Sequence, residues 1–520
     1  MSKANTVVFE VRSVFLTLLA LCVFLGGTAR AAVYYMQQDG KDWNTATWTD
    51  TATGTGATQS SLDPNSSYHI GKNPTDANRA KISTAAAFGG KTLYVGINPD
   101  GSLPTTSDFV NGASTVLITI NSSQTLNFAD DIQLGNGIIA FTGNGNVSNA
   151  VLSGKTAAAQ ITVADGATNA VLRNWASDNL RTYTIDIPIT GGTNSKINVY
   201  TLKNDQSQYS GTIVLNQDNS GYLGSWELTK LSILTAAAAN ALGSVNSNVT
   251  LQKMATLNVN ADQAIGNITT SSYVSTGLDE QRTLTQSATN PGKVMTEKDT
   301  RTVNVADDVT LSAKSVALQA NDSLNLGANA KLSLTEGGTL GETPVKGNNT
   351  TTLEAANDGT SSLDVNLGSA NVTNFSGTYQ TAEGAKMTLS STAARNVPNA
   401  LNAGANSTME LELKTVTGAN KQLNFNGAVT GTGTISINTH GSVADNTNDR
   451  RIYINNPSNS FSGTWDVQQQ SFFYAGAASN VTGKNYLGGG TYGSADAKPS
   501  LILNQDSKLI QNADQEFKNV

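Results

Sequence analysis

The sequence is poor in the residues that most chemistry needs. One cysteine, Cys22, and two histidines, His69 and His440, occur in 520 residues, of which 14% are charged and 6% aromatic. A lone cysteine cannot close a disulfide within the chain, so stability must come from core burial and backbone ladders. The two histidines lie far apart and neither belongs to a His-Glu-x-x-His pattern, so no histidine metal centre is expected and each is read as a surface turn residue. Globular enzymes carry about 25% charged residues, and disordered chains combine low hydrophobicity with high charge. This chain fits neither class, because 38% of it is hydrophobic and the polar remainder is largely Asn, Thr and Ser with 48 Gly. Uncharged hydrogen-bonding side chains with frequent turns suit extended, repetitive β-architecture.

The N-terminus indicates the compartment. Lys3 and Arg12 precede an apolar run from Val14 to Leu25, and Ala29-Arg30-Ala31 supplies the small residues of a cleavage site. That run is short of the ~20 residues that span a bilayer, so residues 1–31 are expected to be a cleaved signal peptide, with Ala32 the mature N-terminus. Leu21 precedes Cys22 where a lipoprotein signal needs a small residue, so lipidation is not expected. The formal net charge is −7, and losing Lys3, Arg12, Arg30 and Glu10 makes the mature chain more acidic still. Nucleic acid and anionic membrane surfaces are poor partners for it.

The clearest periodicity lies in the middle of the chain. Apolar residues come in pairs two apart: Val303 and Val305, Val309 and Leu311, Val316 and Leu318, Leu324 and Leu326, Leu332 and Leu334. Each pair is a short strand with one buried face. Turn formers such as Ala306-Asp307-Asp308 and Gly327-Ala328-Asn329 separate them. Three such steps take roughly 21 to 23 residues, one turn of a parallel β-solenoid whose strands stack ~4.8 Å apart. Over the mature chain that period predicts about 22 turns and a rod on the order of 100 Å long.

A longer repeat overlies this one. Tyr209-Ser210-Gly211-Thr212, Phe375-Ser376-Gly377-Thr378 and Phe461-Ser462-Gly463-Thr464 recur, and the spacing predicts a degenerate copy near Asn290-Pro291-Gly292. The aromatic is expected to point inward at a corner and the glycine to permit the bend. Asn459-Ser460-Phe461-Ser462-Gly463-Thr464-Trp465-Asp466-Val467 resembles the core of the autotransporter-associated β-strand repeat. Val429 to Ile435 resembles the Gly-rich strand ahead of that core, and Ala241-Leu242-Gly243 and Tyr486-Leu487-Gly488 resemble its Leu-Gly turn. The resemblance covers residues 180–520 in patches, and the copy ending at Tyr379 departs from it where Arg395 to Asn402 replaces the turn. It implies a right-handed β-helical passenger exposed outside a Gram-negative-type cell. The chain's last residues, Gln515 to Val520, follow a newly begun repeat, so the resemblance implies a fragment of a longer passenger, with the translocator barrel not present in this chain.

Residues 32–110 are expected to form an aromatic-rich N-terminal cap, with Tyr34, Tyr35, Trp43, Trp48 and Tyr68 covering the first turn of the solenoid rather than serving as a carbohydrate platform. Residues 111–520 are expected to hold the solenoid repeats. No catalytic, cofactor-binding or metal-binding residue stands out. Acid–base candidates are Asp130-Asp131, Asp307-Asp308 and the stretch from Asp445 to Asp449, Arg450 and Arg451, but adjacent strand residues point to opposite faces and turn-forming Asp is the simpler explanation. The expected fold class is therefore all-β, a right-handed parallel β-helix. The expected function is an exported, cell-surface or secreted adhesive scaffold that meets extracellular glycans or neighbouring cell surfaces, with no cofactor. The alternative is a β-helical polysaccharide lyase or glycoside hydrolase.

Overall fold

The computed structural model describes residues 32–520 except 38–40, 52–54, 60, 71–77, 83–87, 99, 105–113, 120–124, 129–130, 144–148, 177–180, 202–210, 272–299, 320, 341–343, 369–373, 415–420, 441–449, 477–485, 489–497 and 512–514. The expected signal peptide, the position near residue 292, Tyr209 and Ser210, and Asp130, Asp445 and Asp449 fall outside the described residues. Within them the regular structure is 46 β-strands in six sheets of eight, ten, nine, seven, seven and five strands, and no helix.

From Ser67–Ile70 onward, strands that follow one another along the chain fall into different sheets, and those that pair within a sheet are two or three places apart in the sequence. In the ten-stranded sheet, for example, Ile138–Gly143 lies between Ser114–Thr119 and Ala170–Ala176, parallel to both. The pairing of Asn78–Ile82 with Ser114–Thr119 crosses the expected domain boundary at residue 110. The antiparallel pairs among the described residues are at the N-terminus, where Trp48–Thr49 joins Val33–Met36 on one side and Thr58–Gln59 on the other.

Alternation explains why these residues form strands. In Thr302–Val305, Ser323–Leu326 and Lys331–Leu334 the Val and Leu at every second position are buried, each worth about 1.5–3 kcal/mol when fully removed from water. Val303 stacks on Leu324, and Leu311 on Leu332 and then Leu353. The step there is 21 residues, as the hydrogen-bonded pair Asn304 and Asn325 shows. Elsewhere the step is longer, reaching 46 and 48 residues where it spans 272–299. A longer step means fewer turns than the period of the central segment predicts.

The eight-stranded sheet and the seven-stranded sheet that begins at Gln263–Ile265 are linked along one line. Gly191 bridges to Tyr222 in parallel, the Ser244 amide donates to the Tyr222 carbonyl, and the Asn240 amide donates to the Asp262 carbonyl beside Gln263. Turns between strands place Asp308, Asn329, Asn406 and Asp506 at positive φ, which their short polar side chains tolerate. Leu231 and Met254 occupy the same region, with φ of 63° and 60°.

Near the N-terminus the aromatic residues enter the core. Trp43, Trp48, Tyr68 and Phe88 are buried. Trp48 meets Tyr68 edge-on at 4.9 Å and donates its indole N–H to the Trp43 carbonyl, while Tyr68 meets Phe88 at 5.5 Å. Three of the five aromatics considered as a platform, Trp43, Trp48 and Tyr68, thus have no face to offer a ligand.

Candidate functional site

Two stretches of chain far apart in sequence build the same buried arrangement. Asn459 accepts the Val429 amide through Oδ1 and donates through Nδ2 to the Tyr486 carbonyl. Asn219 accepts the Ile189 amide at 2.8 Å and donates to the Ala241 carbonyl at 2.6 Å. Each asparagine therefore ties a preceding segment to a following one. Six and seven residues on, Trp465 and Trp226 donate their indole N–H groups to the Leu487 and Leu242 carbonyls, both at 2.8 Å. Phe461 and Tyr222 pack edge-on against those tryptophans at 4.9 and 5.2 Å. Gly488 and Gly243 share a φ of 105°, and an added Cβ would fall 2.1 Å from the Phe461 carbonyl oxygen or 2.5 Å from that of Tyr222. Burial pushes the Tyr222 hydroxyl pKa well above its usual value.

The structural counterpart of Asn459 to Val467 is therefore Asn219 to Leu228, and not the stretch around Tyr209 that shares its Ser-Gly-Thr spelling. Gly211, Thr378 and Thr464 lead into strands of three different sheets, so those three segments are not equivalent corners. Phe375 and Phe461 are nonetheless buried, as expected of the aromatic position. The missed signal was available in Ser225-Trp226-Glu227-Leu228 beside Thr464-Trp465-Asp466-Val467, each followed by Leu-Gly. All of this holds the core together and faces no solvent.

The outward faces carry the chemistry that a ligand meets. In the nine-stranded sheet three strands read Thr256-Leu257-Asn258-Val259, Thr302-Val303-Asn304-Val305 and Ser323-Leu324-Asn325-Leu326, with Leu and Val inward. Parallel register stacks Thr256 on Thr302 and Ser323, and Asn258 on Asn304 and Asn325. The amides form a chain: Asn325 donates to Asn304 at 2.7 Å, Asn304 to Asn258 at 2.9 Å, and Asn258 to the Thr235 hydroxyl at 3.2 Å. An amide has two N–H donors and two acceptor lone pairs, so the ladder consumes only part of each side chain. The remaining N–H and lone pair can engage hydroxyl-rich ligands at the strand spacing.

A second ladder, on the seven-stranded sheet that begins at Gln263–Ile265, is self-contained. Glu354 receives Lys331 at 2.7 Å, the Ser333 hydroxyl at 2.9 Å and the Gln380 amide at 2.6 Å. With both oxygens engaged and the residue 5% exposed, Glu354 is a structural carboxylate.

The acid–base candidates occupy ordinary positions. Asp131 accepts from Gln133 and Thr162. Asp307 accepts the Ala328 amide at 2.8 Å and Asp308 the Asn329 side chain at 2.9 Å, so both organise turns. Arg450 donates to the His440 carbonyl at 2.6 Å, and His440 Nε2 lies 2.7 Å from Glu412. That His–Glu contact was not foreseen. His440 is exposed at φ 48°, just past the strand Thr434–Asn438, in keeping with a surface position, whereas His69 is not exposed. It lies inside the strand Ser67–Ile70, 6% exposed, stacked on Tyr94 at 4.2 Å and beside Tyr35 at 5.2 Å. Burial lowers its pKa, opposed in part by the Ile97 carbonyl near Nδ1. Register explains the difference, because His69 pairs with Tyr35 and Tyr94 on adjacent parallel strands, and that stack shields the ring.

Comparison with protein families, with curated proteins and with solved structures gives no match for this chain.

Proposed function

We propose that the chain is a right-handed parallel β-helix, closed at its N-terminal end by an aromatic-rich cap, that serves as an exported, cell-surface or secreted adhesive scaffold without a catalytic centre of its own. Support for the helix comes from strands that return to the same sheet after each circuit, and for its hand from the general preference for right-handed crossovers between parallel strands. The antiparallel strands around Trp48 are what a cap would place over the first exposed edge. With the ten-stranded sheet and one seven-stranded sheet laid end to end, about 17 turns at ~4.8 Å give a rod near 80 Å long.

The observation that carries the function is the Thr/Ser and Asn ladder of the nine-stranded sheet, which repeats the same half-satisfied amide at successive strands. Each contact to a glycan hydroxyl is weak, and affinity arises from many of them engaged at once. Export through a signal peptide and the resemblance to autotransporter-associated repeats place this surface outside the cell in the same proposal.

The test is adhesion and turnover together. The full chain should retain cells or immobilised neutral glycans, and Asn258→Ala, Asn304→Ala and Asn325→Ala combined should reduce retention while circular dichroism stays unchanged. Release of reducing ends or unsaturated sugars from a polysaccharide panel would favour the lyase or hydrolase instead.

A further inference from the structure

The five-stranded sheet differs in charge from the rest of the molecule. Its strands are Arg395–Val397, Lys421–Phe425, Arg450–Ile454, Phe472–Ala475 and Lys508–Gln511. They contain Arg395, Lys421, Arg450, Arg451 and Lys508 and no acidic residue, within a chain whose 39 acidic residues outnumber its 32 basic ones. Leu423, Phe425, Ile452, Ile454, Phe473 and Ala475 fill the core, so alternation turns Gln422, Arg451, Tyr453, Phe472 and Tyr474 to the other side. Register aligns them: Gln422 beside Arg451, Asn424 beside Tyr453, Tyr453 beside Tyr474, and Phe472 beside Lys508.

The aromatic rings here support cations. Tyr453 and Tyr474 stack at 4.5 Å with an interplanar angle of 27°. The Arg451 guanidinium lies 5.3 Å from the Tyr474 ring centre and donates to the Tyr453 hydroxyl at 3.3 Å. The Lys508 ammonium sits 5.4 Å from the Phe472 ring centre. Tyr453 is buried and the stacked rings occupy one another's faces, so the edge of Tyr474 and the attached cations are what solvent meets. Ring faces for stacking nucleic-acid bases or sugars are therefore scarce, whereas the cations Arg451 and Lys508 stand on the same side with Phe472 on the strand between them, about 10 Å apart at ~4.8 Å per strand.

We propose that this face binds a linear acidic polysaccharide, through carboxylate or sulfate groups held by Arg451 and Lys508. Arg451, held against two tyrosines, presents a positioned guanidinium to an oxyanion. The site goes beyond the adhesive scaffold and relies on it only for placing the ligand outside the cell. Charge complementarity selects the occupant, and the lack of open ring faces favours a glycan over single-stranded nucleic acid.

Titration of the full chain with polygalacturonate, dextran sulfate, uncharged dextran and oligo-dT at two salt concentrations tests this. Polygalacturonate or dextran sulfate should bind, more weakly at the higher salt, and the two arms distinguish carboxylate from sulfate. Arg451→Gln and Lys508→Gln combined should weaken binding at least 10-fold with unchanged circular dichroism, and exposed Lys508→Glu alone should weaken it without bearing on folding. Equal affinity for uncharged dextran, tighter binding of oligo-dT, or unchanged affinity in both variants would overturn the proposal. So would loss of polyanion binding on Asn304→Ala with Asn325→Ala, since those side chains lie on the neutral ladder of another sheet. Loss of neutral-glycan adhesion alone in that asparagine variant concerns the scaffold's ladder and leaves this site standing.

Discussion

Replacing Asn459 by alanine removes both hydrogen bonds of a buried amide that is 4% exposed. The Val429 N–H and the Tyr486 carbonyl then have no partner from this side chain. Leaving a buried donor or acceptor unsatisfied costs about 1–3 kcal/mol each, so the loss should total roughly 2–6 kcal/mol. Asn459→Asp probes the same contacts by charge. A carboxylate still accepts from Val429 but repels the Tyr486 carbonyl, and its pKa in the fold rises above the unfolded value. The folded state then holds the proton more tightly, so this variant should be most stable below the unfolded pKa of about 3.9 and lose that stability as pH rises through the folded pKa. Urea unfolding followed by tryptophan fluorescence, with hydrogen exchange at residues 425–437, reads both effects. Because stability in stacked repeats is local, exchange should accelerate there and remain unchanged near Thr302–Val305. Exposed Ser460→Ala is the control, expected within about 0.5 kcal/mol of the parent. If Asn459→Ala behaves like Ser460→Ala, the asparagine does not tie the segments together.

Other perturbations sort the remaining forces. Gly488→Ala should destabilise far more than Gly384→Ala, because at Gly384 an added Cβ meets nothing within 4 Å and only the φ of 72° is strained, about 1–2 kcal/mol; similar melting temperatures would refute the steric account. Met254→Asn, at φ 60°, should stabilise by up to about 1 kcal/mol, and a lower melting temperature would count against it. Asp322→Ala should cost about 3–5 kcal/mol by removing a buried carboxylate that lies 3.6 Å from the buried Arg301 guanidinium and accepts the Arg301 and Gln319 backbone amides, read by denaturant unfolding. His69 is held neutral by burial, so its contribution is complete above the unfolded pKa of about 6.5 and declines as pH falls below it toward the lower folded value. His69→Phe keeps the ring stack and should flatten that dependence in hydrogen exchange of residues 67–70; an unchanged pH profile would assign it elsewhere.

The strands between Val303 and Leu334 were legible because Val-x-Val and Leu-x-Leu alternation demands one buried face, and that demand is local. Parallel pairing across 21 residues was legible too, since three such strands make one circuit. Asn219 and Asn459 were not, because an asparagine before a strand reads as a turn former unless its partners, 22 to 30 residues away, are known. The Tyr209 segment misled for the related reason that four matching letters carry no information about which sheet they enter. Thr-x-Asn or Ser-x-Asn, by contrast, is written in all three strands around Asn258, Asn304 and Asn325, where the apolar residues between give the stronger periodic signal. Arg451 and Lys508 on the five-stranded sheet are 57 positions apart in the chain, and only register brings them to one face.

Disulfide trapping tests the parallel circuit most directly, because Cys22 lies within the expected signal peptide and the remaining sequence offers no competing thiol. Register neighbours on adjacent strands sit ~4.8 Å apart, inside the range of Cα separations a disulfide accepts. Asn304→Cys paired with Asn325→Cys, and Asn258→Cys paired with Asn304→Cys across the longer 46-residue step, should each cross-link under mild oxidation and migrate differently on a non-reducing gel. Asn304→Cys paired with Lys331→Cys, on strands of different sheets, should remain reduced. Cross-linking of that control, or failure of both register pairs, would contradict a chain that returns to the same sheet with every circuit.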